Sequence, residues 1–451
     1  MLSAYVNSFR IPELRKKLLF TIGVIALVRL TAAIPCPGVD PKALEALFQD
    51  LAKGAGGGVM NLLNLFSGGA LQKFAVAALG IMPYISASII MQLMTPVIPA
   101  LEKLSREGDA GRQKITQYTR YLTVAICIIQ GTMFAKAMMS PSALGLQGAS
   151  PVIAANPLAF IVRTVIFITA GTMFLMWLGE QITERGVGNG ASLIISVNIL
   201  ARLPSAVFGM VQLVMGGAGS QSFTIIHLLL LLGVFFGVTA ATVALTLAHR
   251  KIPIRHASRA GGRGRNAGQT SYMPLRVNYS GVMPVIFGSA ILMFPAMLLR
   301  AIPYTRIHGW GRFLQPGTNY YMFFYGLAIL LFAFFWVANQ FNPVKIADDL
   351  QRRGGYVPGI RPGKPTAEFL DYTMTRITFA GALYLLSLAL FPMLLNQWFR
   401  VPFQVSSFFG GTSLLIMVGV MLDTMRQVEA HLLSRHYDGF LQKGRLRSRR
   451  G

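Results

Sequence analysis

The feature that most constrains this chain is a succession of apolar runs, each about as long as a bilayer's hydrocarbon core is thick. They fall at 18–35, 75–98, 117–138, 157–179, 190–210, 223–248, 278–299, 320–341, 377–398 and 411–425. No water is present in lipid to bond a free N–H or C=O, so such runs have to be helices. With 53% hydrophobic and only 13% charged residues over 451 positions, the chain is too apolar for a soluble domain. The expectation is an all-α polytopic membrane protein with ten transmembrane helices. Arg10, Arg15, Lys16 and Lys17 precede the first run like the basic start of a signal peptide, but that run is long and many others follow, so it reads as the first span. Arg29 lies inside it, close enough to the far end for its stem to snorkel to the interface.

A net charge of +25 would suggest nucleic acid in a soluble protein, but here its placement decides. With the N-terminus inside, the cytoplasmic loops carry roughly three times as many Lys and Arg as the external ones, which predicts cytoplasmic termini by the positive-inside rule. The spans divide five and five at 202–222, a stretch containing Pro204, Gly216, Gly217 and Gly219. An odd number per half inverts the second against the first, the arrangement of an inverted repeat with its working site between the halves. The expected organisation is an N-terminal half over 1–210, an external hinge at 211–222, a C-terminal half over 223–435 and a basic cytoplasmic tail at 436–451.

Two spans have uneven helical wheels. On a helix drawn from Ala78 to Thr95, Ile81, Ile85, Ser88, Gln92 and Thr95 share one stripe, apolar at one end and polar at the other. On the fifth span Ala191, Ile195, Asn198 and Arg202 do the same, and that helix runs in the opposite direction. Set face to face, the stripes describe an hourglass: polar mouths on both sides and an aliphatic collar that resists water without binding ions. Ordinary packing stripes are the competing reading. Between the first two spans, Val59 to Leu71 is helical in pattern but too short to cross, and ends at Ser67, Gly68 and Gly69. A surface helix is the default for it and a re-entrant segment the alternative, since re-entry needs protein or water around the backbone.

Several function classes lack their residues. Pro365 stands where the Ser or Thr of a Walker A loop belongs, and the glycines at 186–190 follow a membrane helix rather than a strand. The six histidines form no metal-ligand spacing, and Cys36 and Cys127 form no disulfide framework. No carboxylate lies deep in a span, which disfavours an ion-coupled carrier. Two long cytoplasmic loops, 249–276 and 342–376, are rich in cations. They fit topology and anionic lipid, or docking of RNA or an acidic partner, with Arg361 held at a Pro/Gly-rich tip.

ALGIMPYISASIIMQLMT at 78–95, LGEQITERGVGNGAS at 178–192, Lys251-Ile252-Pro253, VPGIRPGKPT at 357–366 and FGGTSLLI at 409–416 resemble the bacterial SecY family, the channel subunits of the Sec translocon. The resemblance covers nearly the whole chain. It implies a clamshell of two five-helix inverted-repeat halves with an hourglass pore in the bacterial inner membrane, no enzyme activity and no cofactor. It implies a pore ring at Ile81, Ile85, Ala191, Ile195, Ile286 and Ile416, in which Ala191 is smaller than the usual aliphatic residue. It turns 59–71 into a re-entrant plug containing Asn61, Leu62, Leu63, Asn64, Leu65 and Phe66, and puts polar residues of a lateral gate at Ser88, Gln92, Gln130 and Asn278. Packing or capping competes with the gate role at each of these four. Docking of a SecA ATPase or of ribosomal RNA would fall to Arg250, Lys251, Arg255, Arg259, Arg263, Arg265 and Arg361. The passenger implied is an unfolded polypeptide, with SecE-like and SecG-like subunits and membrane lipids as further partners.

Overall fold

Proline sets where many of the helices begin. Its ring fixes φ near the helical value, and the N–H it lacks is one the first turn leaves unbonded, so it is tolerated there and disruptive further in. The computed structural model describes residues 11–53, 64–140, 152, 156–205, 207–208, 211, 225–256, 271–301, 318–399 and 412–443. Its first elements are α1 (Pro12–Thr31), α2 (Pro41–Lys53), α3 (Met82–Met94), α4 (Pro99–Arg106), α5 (Asp109–Met139), α6 (Pro157–Arg185), α7 (Gly190–Leu200) and α8 (Ile225–Leu247). They are followed by β1 (His249–His256), β2 (Ser271–Arg276), α9 (Met283–Ala301), α10 (Asn319–Gln340), α11 (Pro343–Arg352), β3 (Gly355–Tyr356), α12 (Lys364–Phe399) and α13 (Thr412–Lys443). Proline occupies the first or second position of α1, α3, α4, α6 and α11.

The structure corrects the helix drawn from Ala78. Residues 67–81 form successive turns, with Ala78 N bonded to Ala75 O and Gly80 N to Ala77 O, and α3 starts only at Met82. Pro83 explains this, because its ring would clash with the carbonyl four residues back if the helix extended upstream. Ile81 is therefore the N-cap residue and Ile85 the first of the old stripe inside the helix. After α3 the chain turns through 97° into α4, which leaves Val97 and Ile98 exposed.

Each apolar run coincides at least in part with a helix, but the helices differ in length from the runs. Among the described residues four are long and apolar enough to cross a membrane, or up to five if α3 and α4 count as one bent span. α7 has only 11 residues, and α12 and α13 continue well beyond their apolar parts.

The chain divides into two compact units: Met1–Gly209 with Pro295–Gln315 and Val420–Gly451, and Met210–Phe294 with Pro316–Gly419. In the first, backbone pairing of Cys36 N with Phe74 O and of Val76 N with Ile34 O pins the turns after residue 67 to the end of α1. Phe74 stacks on Phe134 and Phe160, ring centroids 5.4 and 6.1 Å away. α5 and α6 are joined by a two-pronged ion pair, Arg120 Nη2 to Glu180 Oε2 at 2.7 Å and Nε to Oε1 at 3.2 Å. The loop 186–189 is clasped by side chains, with Val187 N donating to Thr21 Oγ1 and Gly188 N to Gln427 Oε1 on α13.

In the second unit β1 pairs antiparallel with both β2 and β3, giving the order β2-β1-β3. Ile252 and Leu275 pack with Val337, Phe341, Val357, Leu370, Met374 and Ile377 from α10, α12 and the residue after β3. Buried Tyr325 on α10 donates to Val285 O at the start of α9.

Helices α6 and α7 approach closely enough to exclude any side chain at Gly190, where a Cβ would lie 1.8 Å from Gly179 O. Gly190→Ala is expected to cost about 1–3 kcal/mol through forced separation of the two helices. The check is thermal unfolding in detergent: its midpoint should fall for Gly190→Ala and not for Gly237→Ala, where the new methyl meets open space.

Candidate functional site

From Asn64 to Phe66 the chain is helical, and the fate of the carbonyls at this helix end organises the site. Gly68 adopts a left-handed φ of 65°, which a Cβ would disfavour, and lets Gly69 N reach Asn64 O at 3.0 Å and Gly68 N reach Leu65 O at 3.2 Å. This is the Schellman closure of a helix end. Ser67 Oγ donates to Asn64 O and accepts from Leu71 N, and Ser67 O accepts from Ala70 N. Two carbonyls are left for partners elsewhere. Phe66 O accepts from Asn198 Nδ2 of α7 at 3.0 Å, and Gly68 O accepts from Arg29 Nη1 of α1 at 3.2 Å. Arg29 Nη1 also reaches Asn198 Oδ1 at 3.3 Å.

Arg29, half-exposed in the last turn of α1, is thus bonded within the protein. It is directed inward, because a neutral amide and a backbone carbonyl there offer it acceptors. The polar end of the α7 stripe is likewise engaged rather than open: Asn198 is only 2% exposed, and Arg202 Nη2 bonds Gln72 Oε1 at 3.0 Å. Leu65, Phe66 and Asn64 are buried, whereas Asn61, Leu62 and Leu63 lie outside the described residues.

This segment abuts the expected constriction. A Cβ on Gly80 would meet Ser67 Cα at 3.4 Å and Phe66 O at 3.5 Å, so Phe66 and Ser67 lie against the residue next to Ile81. A methyl on Gly179 of α6 would fall 3.5 Å from Ile81 Cδ1 and 3.6 Å from Ala191 N, which brings those two ring residues to one place in the first unit. Ile81, Ile85 and Ile195 are buried and Ala191 is half-buried. In the second unit Ile286 on α9 and Ile416 on α13 are each 1% exposed. Gly419 of α13 packs directly on Val282, just before α9, so these two lie on neighbouring elements.

The four expected gate residues divide. Gln92 Nε2 donates to Ser88 Oγ at 3.2 Å one turn back on α3, and both are half-buried. Gln130 is buried on α5. Asn278 is not on a helix: it lies in the bend before α9 and accepts from Ser280 Oγ at 3.3 Å. Pro284 accounts for the difference, since a helix extended upstream through it would lose a bond and clash.

The two basic loops share one structure. Along β1, Lys251, Pro253 and Arg255 are exposed while Ile252 and Ile254 are buried, the period of two of a half-buried strand. Arg255 pairs with Tyr356 of β3 and Pro253 with Tyr272 of β2, and both tyrosines are exposed. The alternation from Lys251 to Arg255 is the signal that would have disclosed a strand inside a loop. Beyond β3, Ile360 packs against the apolar cluster, and its neighbour Arg361 is exposed with its carbonyl held by Thr366 Oγ1 at 2.8 Å. Arg250 is exposed at the start of β1, while Arg259, Arg263 and Arg265 lie outside the described residues. Among the described residues no group of three or more His, Cys, Asp or Glu could hold a metal.

Comparison with known proteins adds three findings. Residues 75–425 match the model of the family described as SecY. A protein translocase subunit SecY of Chlamydia muridarum is 42% identical over 459 residues, covering 98% of each chain. Two solved structures share the fold over 93% of this chain and 92% of theirs. One, at TM-score 0.62 and 18% identity, concerns a SecY whose plug domain stabilises the closed state of the translocation channel and maintains a membrane seal. The other, at TM-score 0.59 and 17% identity, is Sec61 in the canine ribosome-channel complex from the endoplasmic reticulum.

The apolar cluster beneath β1 is what joins the two basic loops to the helices. Ile252→Ala should cost about 2–4 kcal/mol locally, as buried large-to-small changes do. Limited proteolysis of the membrane-embedded chain should then cut both loops faster, and equal cutting rates would show that the cluster does not hold them.

Proposed function

The chain belongs to the SecY family, and from that premise we propose that it is a protein-conducting channel, passing unfolded secretory polypeptides across the plasma membrane and releasing apolar helices sideways into it. The observation that carries this reading is a capped helix end seated against Gly80, next to Ile81, within a chain of apolar helices. The segment at 59–71 acts as the plug, and Ile81, Ile85, Ala191, Ile195, Ile286 and Ile416 act as the ring. Aliphatic side chains suit that task because apolar contact is non-directional: the ring yields around many passengers without binding any, and dewets when empty. Ala191 narrows the collar less than its neighbours, and burial of Phe66 and Leu65 nearby supports a plug that compensates for it.

The ten helices form two inverted halves, 1–210 and 223–435, hinged at 211–222, with both termini cytoplasmic. Ser88, Gln92, Gln130 and Asn278 border the lateral gate. The chain performs no chemistry, so energy comes from outside: a SecA ATPase or a ribosome docks on the sheet and on Arg361, with Arg250, Lys251, Arg255, Arg259, Arg263 and Arg265 in the same basic surface. The likeness to Sec61 in a ribosome-channel complex supports the ribosome as one such partner. SecE-like and SecG-like subunits brace the halves.

Two measurements test this reading. Arg361→Glu should weaken motor or ribosome binding at least about tenfold, as reversal of an interface charge does, and slow translocation while leaving assembly intact. Unchanged translocation would remove Arg361 from the docking surface. Deleting Asn61–Leu65 should raise resting ion conductance of the complex in planar bilayers, and an unchanged conductance would argue against a plug.

A further inference from the structure

We infer that Asn198 and Arg29 are positioning residues that latch the plug, and that this latch couples plug release to the movement of α7. The inference rests on reading 59–71 as a plug. The Schellman closure and Ser67 satisfy the carbonyls of Asn64, Leu65 and Ser67 from within the segment. Among the described residues, Phe66 O and Gly68 O take their donors from α7 and α1, the Nδ2 of Asn198 and the Nη1 of Arg29. Asn198 uses both ends of its amide, since Oδ1 accepts from the same guanidinium. Gly68 is required at this junction: a Cβ there would lie 2.5 Å from Arg29 Nη1 and 2.9 Å from Asn198 Oδ1.

Two properties make this contact a latch rather than a weld. No carboxylate pairs with Arg29 among the described residues, so its charge is met by neutral acceptors. A buried ion pair would release far less readily, because separation would leave two charges uncompensated. Asn198 also stands on the helix that carries Ala191 and Ile195. A polypeptide that pushes those two residues aside shifts α7 and withdraws the donor from Phe66 O. Arg202, one turn further on, holds Gln72 by the same logic. The constriction and the plug therefore respond to one displacement.

The test uses the assembled complex in proteoliposomes, with Ser67→Cys as a reporter; Ser67 is 2% exposed, and the two native cysteines are buried. The readout is the labelling rate by a membrane-impermeant maleimide from the external face, set against the chain without Ser67→Cys. Asn198→Leu and Arg29→Met, which reach the plug from different helices, should each speed labelling about tenfold, the effect of losing one hydrogen bond to a buried partner. Arg29→Lys, which keeps a charged donor, should label nearer the parent rate. Equal labelling in parent, Asn198→Leu and Arg29→Met overturns the latch. If that result accompanies a leak on deleting Asn61–Leu65, the plug survives and only the latch fails. If the deletion does not leak, the plug reading fails, and the labelling rates still decide whether Asn198 and Arg29 hold the segment.

Discussion

A backbone carbonyl that cannot reach water must find a donor, and in this protein that requirement decides the geometry from Asn64 to Ile81. The helix that includes Asn64–Phe66 ends there, and the carbonyls of a helix's last turn have no partner within it. Gly68 closes two of them by turning left-handed, and the remainder recruit a side chain from each of two helices. Once α1 and α7 are committed to those carbonyls, Ile81 is set near them through the turns that lead to it. The inward bonds of Arg29, the buried asparagine and the left-handed glycine are consequences of one helix ending inside protein.

Close helix approach is the second constraint. Gly190 against Gly179 O, and Gly171 against Val76 O, remove side chains where backbones must touch. In lipid, where apolar surface gains nothing by leaving the solvent, packing at this distance and interhelical hydrogen bonds are what hold helices together. The Arg120–Glu180 pair and the clasp of Gln427 on Gly188 serve the same end near the termini of α6. A rigid scaffold of this kind leaves a small number of contacts free to break, which a channel that must both seal and yield requires.

The sheet follows a different physical logic. It rests on apolar residues of α10 and α12, and its other face presents Lys251, Arg255, Tyr272 and Tyr356. Cations beside exposed aromatic rings are suited to polyanions and to acidic surfaces alike. Holding two sequence-distant loops in one sheet lowers the entropy a docking partner would otherwise have to remove. The stiffness expected of the Pro/Gly tip at Arg361 has a concrete source in Ile360, which anchors the tip from beneath.

The sequence by itself determined that the chain is helical and built for a membrane, because runs of apolar residues leave the backbone no alternative in lipid. It also determined which residues share a helical face, which is why Ile195 and Asn198 could be read from spacing alone. Motif likeness reached further, to the family. What the tertiary structure decided are the partners of polar groups: Arg29 bonded to Gly68 O and Asn198 bonded to Phe66 O. Helix starts at Met82 and Met283, and the strand inside a basic loop, also emerged only there. The physical reason is that hydrophobic periodicity is local and repeats every few residues, whereas a hydrogen bond between Phe66 and Asn198 links positions 132 apart and leaves no periodic trace.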